Sequence, residues 1–157
     1  SNTITEGDEV KLSPENQLKA QAMITMLINF VKYHFQDQSF FVDNVNSEGS
    51  YQTSCIDNEQ NTYISLTMKQ TNGAITVTDR NGTTQNVIAP YNLMARDANF
   101  DKAPSSTATD ISNSSYAVIH QVGKVLNFMP LQGGRYDSAW ATRAKAKAFL
   151  AKYRIRK

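Results

Sequence analysis

The stretch SSYAVIHQVGKVLNFMP, residues 114–130, decides the fold that we predict for this chain. It is rich in apolar and β-branched residues, and a polar run precedes it while Pro130 closes it, which is typical of a β-strand. Successive side chains of a strand point to opposite faces, and apolar residues occupy both faces here. A strand that is apolar on both faces is covered on both faces. We therefore predict one long, covered strand with His120 in its middle.

A long helix is predicted upstream of this strand. Ser13-Pro14-Glu15 combines an N-cap residue, a proline at the first helical position and an acid in the first turn. From there to about Tyr33 the sequence is apolar around most of the helix, apart from a narrow polar stripe formed by Gln21, Thr25, Asn29 and Lys32. A helix of this kind is buried on most sides. We therefore expect it to be the central helix of the domain.

Several short strands and a final helix complete the predicted α+β fold. Alternating runs at 62–68, 74–78 and 83–88 are joined by Asn-Gly turns, which predicts a three-stranded antiparallel meander. Residues 51–56 favour a further short strand. An Ala-rich helix is expected from about residue 139 to 153, capped by Asp137 or Ser138.

Two of these segments resemble a known family. Val31-Lys32-Tyr33-His34-Phe35 is similar to the Tyr-His element that follows the central helix of fasciclin domains, and residues 115–126 resemble the closing Ile-His strand of that family. The two elements lie in the family's order, with strands between them. The resemblance covers 13–130 and implies an antiparallel β-sandwich or wedge packed on a central helix, here with an added C-terminal helix.

The same resemblance implies an incomplete domain. Fasciclin domains begin with a strand of the type T-V-F-A-P-T-D-x-A-F, which has no counterpart in this sequence. We therefore expect residues 1–12 to be a flexible segment, 13–130 a partial fasciclin-like domain, and 131–157 a linker with a basic helix. A second polypeptide, a completing N-terminal segment or a homo-oligomer would then complete the domain.

Composition and charge limit the classes of partner that we expect for this chain. With 40% hydrophobic and 19% charged residues the chain is globular, and it has no apolar run long enough to span a membrane. Abundant Asn, Thr, Ser and Gln with sparse Lys before residue 135 favour an exported protein, located outside the cell or on its surface. From Arg135 onward there are eight basic residues and one acid. Trp140 and Tyr153 offer too little stacking there for a nucleic-acid groove, so we expect a solvated helix and no nucleic-acid partner.

The reactive residues do not form a recognisable catalytic or metal motif. Two histidines and a single cysteine, Cys55, lack the local pairs of a zinc site, and no G-x-S-x-G elbow is present. We predict no cofactor, no metal and no enzymatic activity. Family resemblance implies binding through Tyr33 and His34, and we add His120 as a candidate binding residue.

The predicted function is therefore a non-enzymatic extracellular or cell-surface module for adhesion or ligand binding. Its expected partner is an extracellular-matrix protein or a glycan. A structural segment of a larger surface assembly is an alternative. A less favoured one is an enzyme that uses His120 with a nearby carboxylate in a concave pocket.

Overall fold

The chain folds as an α+β structure with two helices and one curled, half-barrel sheet. A computed structural model describes residues 12–42, 47–88, 118–132, 135–136 and 141–155. The elements are α1 (Pro14–Tyr33), β1 (Glu48–Asp57), β2 (Thr62–Thr71), β3 (Ala74–Thr78), β4 (Thr84–Ile88), β5 (Gln121–Val122), β6 (Leu131–Gln132), β7 (Arg135–Tyr136) and α2 (Arg143–Tyr153). Strands β1 to β5 form a sheet in chain order with antiparallel neighbours, and β6 pairs with β7. The α+β prediction is confirmed, whereas a sandwich is not confirmed.

The predicted meander is present and its turns follow from the sequence. Asn72 and Gly73 both have positive φ, at 50° and 83°, so they form the tight turn between β2 and β3 that Asn-Gly favours. The next turn is closed by Asp79, whose Oδ1 accepts hydrogen bonds from the backbone N–H groups of Asn81 at 2.9 Å and Thr83 at 3.0 Å. The short aspartate side chain thus adds to the backbone bonds of this turn, in which the N–H of Gly82 donates to the carbonyl of Asp79 at 2.9 Å and the N–H of Asp79 donates to the carbonyl of Thr83 at 3.0 Å.

The core lies between the concave side of the sheet and the two helices. Alternate residues of β2 and β3 point into it, as the period of a strand requires. Helix α2 contributes Ala146, Phe149 and Tyr153 to this same core, in which Phe40 and Phe128 are also buried. This helix begins after Thr142, whose hydroxyl accepts a hydrogen bond from the N–H of Lys145. The caps predicted at 137 and 138 lie outside the described residues.

The prediction of one long strand is wrong within the part of 114–130 that the structure describes, which begins at residue 118. Only Gln121–Val122 pairs as a strand. Beyond it, side chains of the meander and of His34, which caps the end of α1, accept hydrogen bonds from the backbone N–H groups that a neighbouring strand would otherwise bind. The acceptors are Gln85 Oε1 for Lys124 at 2.7 Å, His34 Nε2 for Leu126 at 3.3 Å, and Asp79 Oδ2 for Asn127 at 3.1 Å.

Helix α1 begins where the sequence predicts but is less buried than expected. Ser13 caps it, because its hydroxyl accepts a hydrogen bond from the N–H of Asn16 at 3.2 Å. Among its residues only Ala22, Asn29 and Tyr33 are buried. The expectation of a helix buried on most sides is therefore wrong, since the sheet and α2 cover one side and leave large apolar side chains of the opposite side exposed.

Candidate functional site

A polar junction around Arg80 holds the centre of the molecule together. Arg80 Nη2 lies 2.7 Å from Oδ2 of Asp57, whose side chain is fully buried, and Nη1 donates to the Tyr153 hydroxyl at 3.2 Å. Lys152 Nζ approaches the same Asp57 oxygen at 3.7 Å. Burial is the largest single influence and raises the pKa of Asp57, but the hydrogen bonds from Arg80 and the N–H of Gln60, together with the positive charges of Lys152 and Arg80, outweigh it, so this pKa lies below its usual range. The ion pair therefore links β1, the β3–β4 turn and α2.

Tyr33, one of the predicted binding residues, belongs to this junction and does not reach the surface. Its side chain is fully buried, and its hydroxyl accepts a hydrogen bond from the backbone N–H of Arg80 at 2.8 Å. Burial is also the main reason that the pKa of Tyr33 is raised. The residue thus orients the β3–β4 turn against α1 and cannot contact a partner in this conformation.

His34, the second predicted residue, connects the end of α1 to the segment after β5. Its Nδ1 lies 2.7 Å from the carbonyl oxygen of Phe30, and its Nε2 accepts a hydrogen bond from the N–H of Leu126 at 3.3 Å. These bonds select the tautomer with the proton on Nδ1. Although the residue is exposed, both ring nitrogens are engaged within the chain.

His120, the third predicted residue, is partly buried at another place. Its Nε2 lies 2.6 Å from the carbonyl oxygen of Phe40, while Nδ1 is buried without a hydrogen-bond partner in the described part of the chain. Burial lowers the pKa of His120, and the bond to Phe40 opposes that shift only in part. His34 and His120 therefore bind different segments, and no described hydrogen bond or ring contact joins them.

A bulge in the edge strand β1 produces a concave region on the protein surface. The register between β1 and β2 shifts between Gln52 and Ile56, so the intervening residues leave the regular ladder. Thr53 fastens this bulge, because its hydroxyl donates to the carbonyl of Ile64 at 2.6 Å and accepts from the N–H of Cys55 at 3.2 Å. Bulges of this kind often lie beside binding sites, where they redirect side chains.

The segment that follows α1 pairs with the outer edge of this bulge. The N–H of Ser54 donates to the carbonyl of Phe35 at 2.8 Å, and the N–H of Asp37 donates to the carbonyl of Gln52 at 3.2 Å. The edge strand β1 is therefore covered over a few residues, and the end of α1 is held beside it. Together these elements enclose a cleft on the outside of the bulge.

This cleft, which we call the bulge cleft, has a volume of about 670 Å³. Most of its lining residues carry a polar group, and they come from four parts of the chain: Asn29, Lys32, Asp37, Gln52, Thr53, Ser54, Ile56, Asn61, Tyr63 and Ile155. None of the three residues predicted from the sequence lines it. Its volume falls within the range of roughly 300–1,000 Å³ that is usual for small-molecule sites.

The floor of the bulge cleft is locked by internal hydrogen bonds. Asn29 Nδ2 donates to the carbonyl of Tyr153 at 2.7 Å, and Cys55 Sγ lies 3.6 Å from Asn29 Oδ1. Burial raises the pKa of the Cys55 thiol to about 12, so this sulfur stays protonated and is a poor nucleophile at neutral pH. The floor is therefore a rigid support and offers no activated group.

The rim of the bulge cleft differs from its floor. Within the described residues, the side chains of Lys32, Asp37, Gln52 and Ser54 make no hydrogen bond or ion pair to the protein. Tyr63 adds an aromatic ring that is 49% exposed. The rim therefore offers an ammonium, a carboxylate, an amide, a hydroxyl and a ring face to a ligand.

Neither a family model, nor a curated protein, nor a solved structure matches the chain. The described residues contain no group of three or more His, Cys, Asp and Glu side chains that could hold a metal ion. Of the helices in those same residues, none is long and apolar enough to cross a membrane.

Proposed function

We propose that this chain is a non-enzymatic extracellular or cell-surface module that binds a neutral glycan in the bulge cleft. The observation that carries the proposal is the contrast between a hydrogen-bonded floor and a rim whose polar groups are available. Location outside the cell is supported by the composition, which is rich in Asn, Thr, Ser and Gln.

The rim chemistry suits a sugar better than an ionic or strongly apolar ligand. Lys32 and Asp37 contribute one charge of each sign, so the cleft has no net charge from these groups to select an anion or a cation. The amide of Gln52 and the hydroxyl of Ser54 can each donate and accept, as vicinal sugar hydroxyls require. The half-exposed ring of Tyr63 offers an apolar face with a polar end, which matches the alternating C–H and O–H surface of a pyranose.

Fasciclin-like architecture is the second part of this proposal. Its support is that the two family-like segments meet in space, where Nε2 of His34 accepts the N–H of Leu126. In this proposal Tyr33, His34 and His120 orient the domain, while adhesion uses the bulge cleft. A crystal structure of the chain that does not superpose on fasciclin domains would end this part of the proposal.

The proposed binding is tested by an array of neutral and anionic oligosaccharides and matrix proteins. We expect saturable binding of a neutral glycan that persists at high salt, because screening weakens only charge-driven attachment. Tyr63→Ala should reduce binding, whereas Gln121→Ala, on the opposite edge strand of the sheet, should not. Binding of matrix proteins alone, or equal binding by the Tyr63 variant, would contradict the glycan site.

A structural role in a larger surface assembly is the second candidate function. The observation that favours it is the exposure of large apolar side chains on α1, including Ile24, Leu27 and Val31. Surfaces of this kind commonly mark contacts with another protein.

A further inference from the structure

Helix α1 carries an exposed apolar surface, which we call the outer face, formed by Met23, Ile24, Leu27, Ile28 and Val31. These side chains are 45%, 58%, 57%, 38% and 54% exposed, respectively. At 3.6 residues per turn they lie opposite the buried side of the helix, which packs on the sheet and α2. The helix is therefore apolar on two opposite sides, and the described core covers only one of them.

The outer face is free of charge and large enough to form an interface. No charged residue occurs between positions 20 and 31. Phe35, which is 63% exposed, follows just beyond the end of the helix. These six side chains together expose roughly 500 Å² of apolar surface, near the upper end of what a soluble monomer normally shows. A standard interface covers about 800 Å² on each partner, of which somewhat more than half is apolar.

The spacing along the outer face is that of a helix-pairing seam. Ala20, Ile24, Leu27, Val31 and His34 follow one another at intervals of 4, 3, 4 and 3 residues. This is the alternation of a and d positions in a heptad pattern, with Ile24 and Val31 at a and Leu27 at d. A seam of this type packs against another helix and not against a flat sheet.

We propose that a second copy of this chain covers the outer face through an antiparallel, two-fold symmetric pairing of the two α1 helices. Leu27 would then face Leu27 of the other copy on the symmetry axis. Opposed helix dipoles favour this direction. The small Ala20 would meet the bulky His34 of the other copy. In a parallel pairing, the two Ala20 side chains would face each other, and so would the two His34 side chains.

A second copy fits this surface better than an unrelated partner. A two-fold interface requires only that one patch is complementary to itself. The outer face has no charges with which to select a different protein, and selectivity between partners depends largely on charge. This inference is independent of the glycan proposal, because the outer face shares no residue with the bulge cleft.

The first test is the mass of the full chain in solution by sedimentation equilibrium from about 1 to 100 μM. We expect a mass that rises from 17.5 kDa toward twice that value. Leu27→Glu should raise the dissociation constant by about 30-fold or more, because it places a charge on the symmetry axis. Because Leu27 is half exposed in one copy, this variant should keep the melting temperature of the monomer.

The second test locates the axis by disulfide crosslinking in a Cys55→Ser background. Leu27→Cys should form a covalent dimer on mild oxidation, since the two sulfur atoms meet on the axis. Ile24→Cys should not, because antiparallel pairing sets its two copies about 9 Å apart along the helices. Lys147→Cys, on the exposed side of α2, is the surface control.

Three outcomes would overturn this inference. A mass of 17.5 kDa at all concentrations would exclude a second copy. A monomer whose melting temperature falls by more than about 5 °C with Leu27→Glu would show that the chain itself covers the outer face. Crosslinking of Ile24→Cys as fast as Leu27→Cys would contradict the antiparallel pairing.

Discussion

The Arg80 junction and the bulge cleft are both rich in polar groups, yet they differ in where those groups find partners. At the junction, Asp57, Arg80 and the Tyr33 hydroxyl bind one another or the backbone. At the rim of the cleft, Lys32 and Gln52 have no such partner among the described residues. Polar density alone therefore does not identify a binding site; the availability of the polar groups does. Breaking the junction should cost stability, and changing the rim should cost binding.

Replacing Arg80 should have the largest effect. Among the described residues, Arg80→Met leaves the fully buried carboxylate of Asp57 with Lys152, at 3.7 Å, as its one remaining cationic partner, beside two backbone N–H groups. We expect a loss of about 3 kcal/mol in the free energy of unfolding, measured by urea denaturation. The matched control is Lys69→Met, which removes the exposed pair with Glu48 and should cost less than about 1 kcal/mol. Equal losses for the two variants would show that the junction is not a buried ion pair.

Low pH should also weaken the Arg80 junction, but with a smaller loss of stability than Arg80→Met causes. The pKa of Asp57 is lower in the folded chain than in the unfolded chain, so the unfolded state binds its proton first as the pH falls. The stability from this group is complete at neutral pH and is lost below about pH 4. The loss should be smaller than that of Arg80→Met, since a protonated Asp57 can still accept hydrogen bonds. In thermal melts between pH 7 and pH 2, the melting temperature of Asp57→Asn should fall less steeply toward low pH than that of the parent protein. The same pH dependence in both proteins would contradict this assignment.

Asn29 connects the two regions, and its removal should have an intermediate effect. Asn29→Ala leaves the carbonyl of Tyr153 without its 2.7 Å donor and opens a small void between α1 and α2. We expect a loss of about 2 kcal/mol in stability. The exposed Gln17→Ala in the same helix is the control and should change stability by less than about 0.5 kcal/mol.

Tyr33→Phe tests whether Tyr33 contacts a ligand, as the sequence predicts, or supports the fold, as its buried position indicates. Loss of the hydroxyl leaves the N–H of Arg80 without an acceptor, so we expect about 1–2 kcal/mol less stability. Glycan affinity of the folded variant should be unchanged, because Tyr33 does not line the bulge cleft. A variant of normal stability that loses binding would restore Tyr33 as a contact residue.

The smallest effect on stability should come from the rim itself. Gln52→Ala should stay within about 0.5 kcal/mol of the parent in urea denaturation. Its affinity for the bound glycan, measured by calorimetry, should nevertheless fall by up to about 10-fold, which corresponds to one hydrogen bond. Gln121→Ala should change neither quantity. Loss of stability without loss of affinity would reverse the roles of the two regions.

The sequence predicts local structure here better than it predicts tertiary contacts. The Ser13 cap and the Asn72-Gly73 turn depend on neighbouring residues, so both could be recognised from short motifs. The extended course after Val122 could not, because it depends on the distant side chains of Gln85 and Asp79. The bulge cleft had no sequence signal either, since its polar residues come from three separate stretches of the chain and follow no periodicity.

Helix α1 also shows that the sequence predicts a local element better than its tertiary contacts. Its apolar circumference predicts burial on most sides, and the pattern does not say that Asn29 and Tyr33 lie on the buried side while Leu27 lies on the exposed one. Those assignments depend on the donors and acceptors that α2 and the β3–β4 turn present. Periodicity identifies the helix, and tertiary hydrogen bonds select its orientation.

The most direct test of the binding claim is chemical-shift mapping of the full chain by NMR during titration with the neutral oligosaccharide that binds best on the array. We predict saturable shifts of the backbone amides of Gln52, Ser54 and Tyr63, with little change at His34 and Leu126. Shifts confined to residues 34 and 118–126, with none around the bulge cleft, would contradict the account and place the site at the histidines.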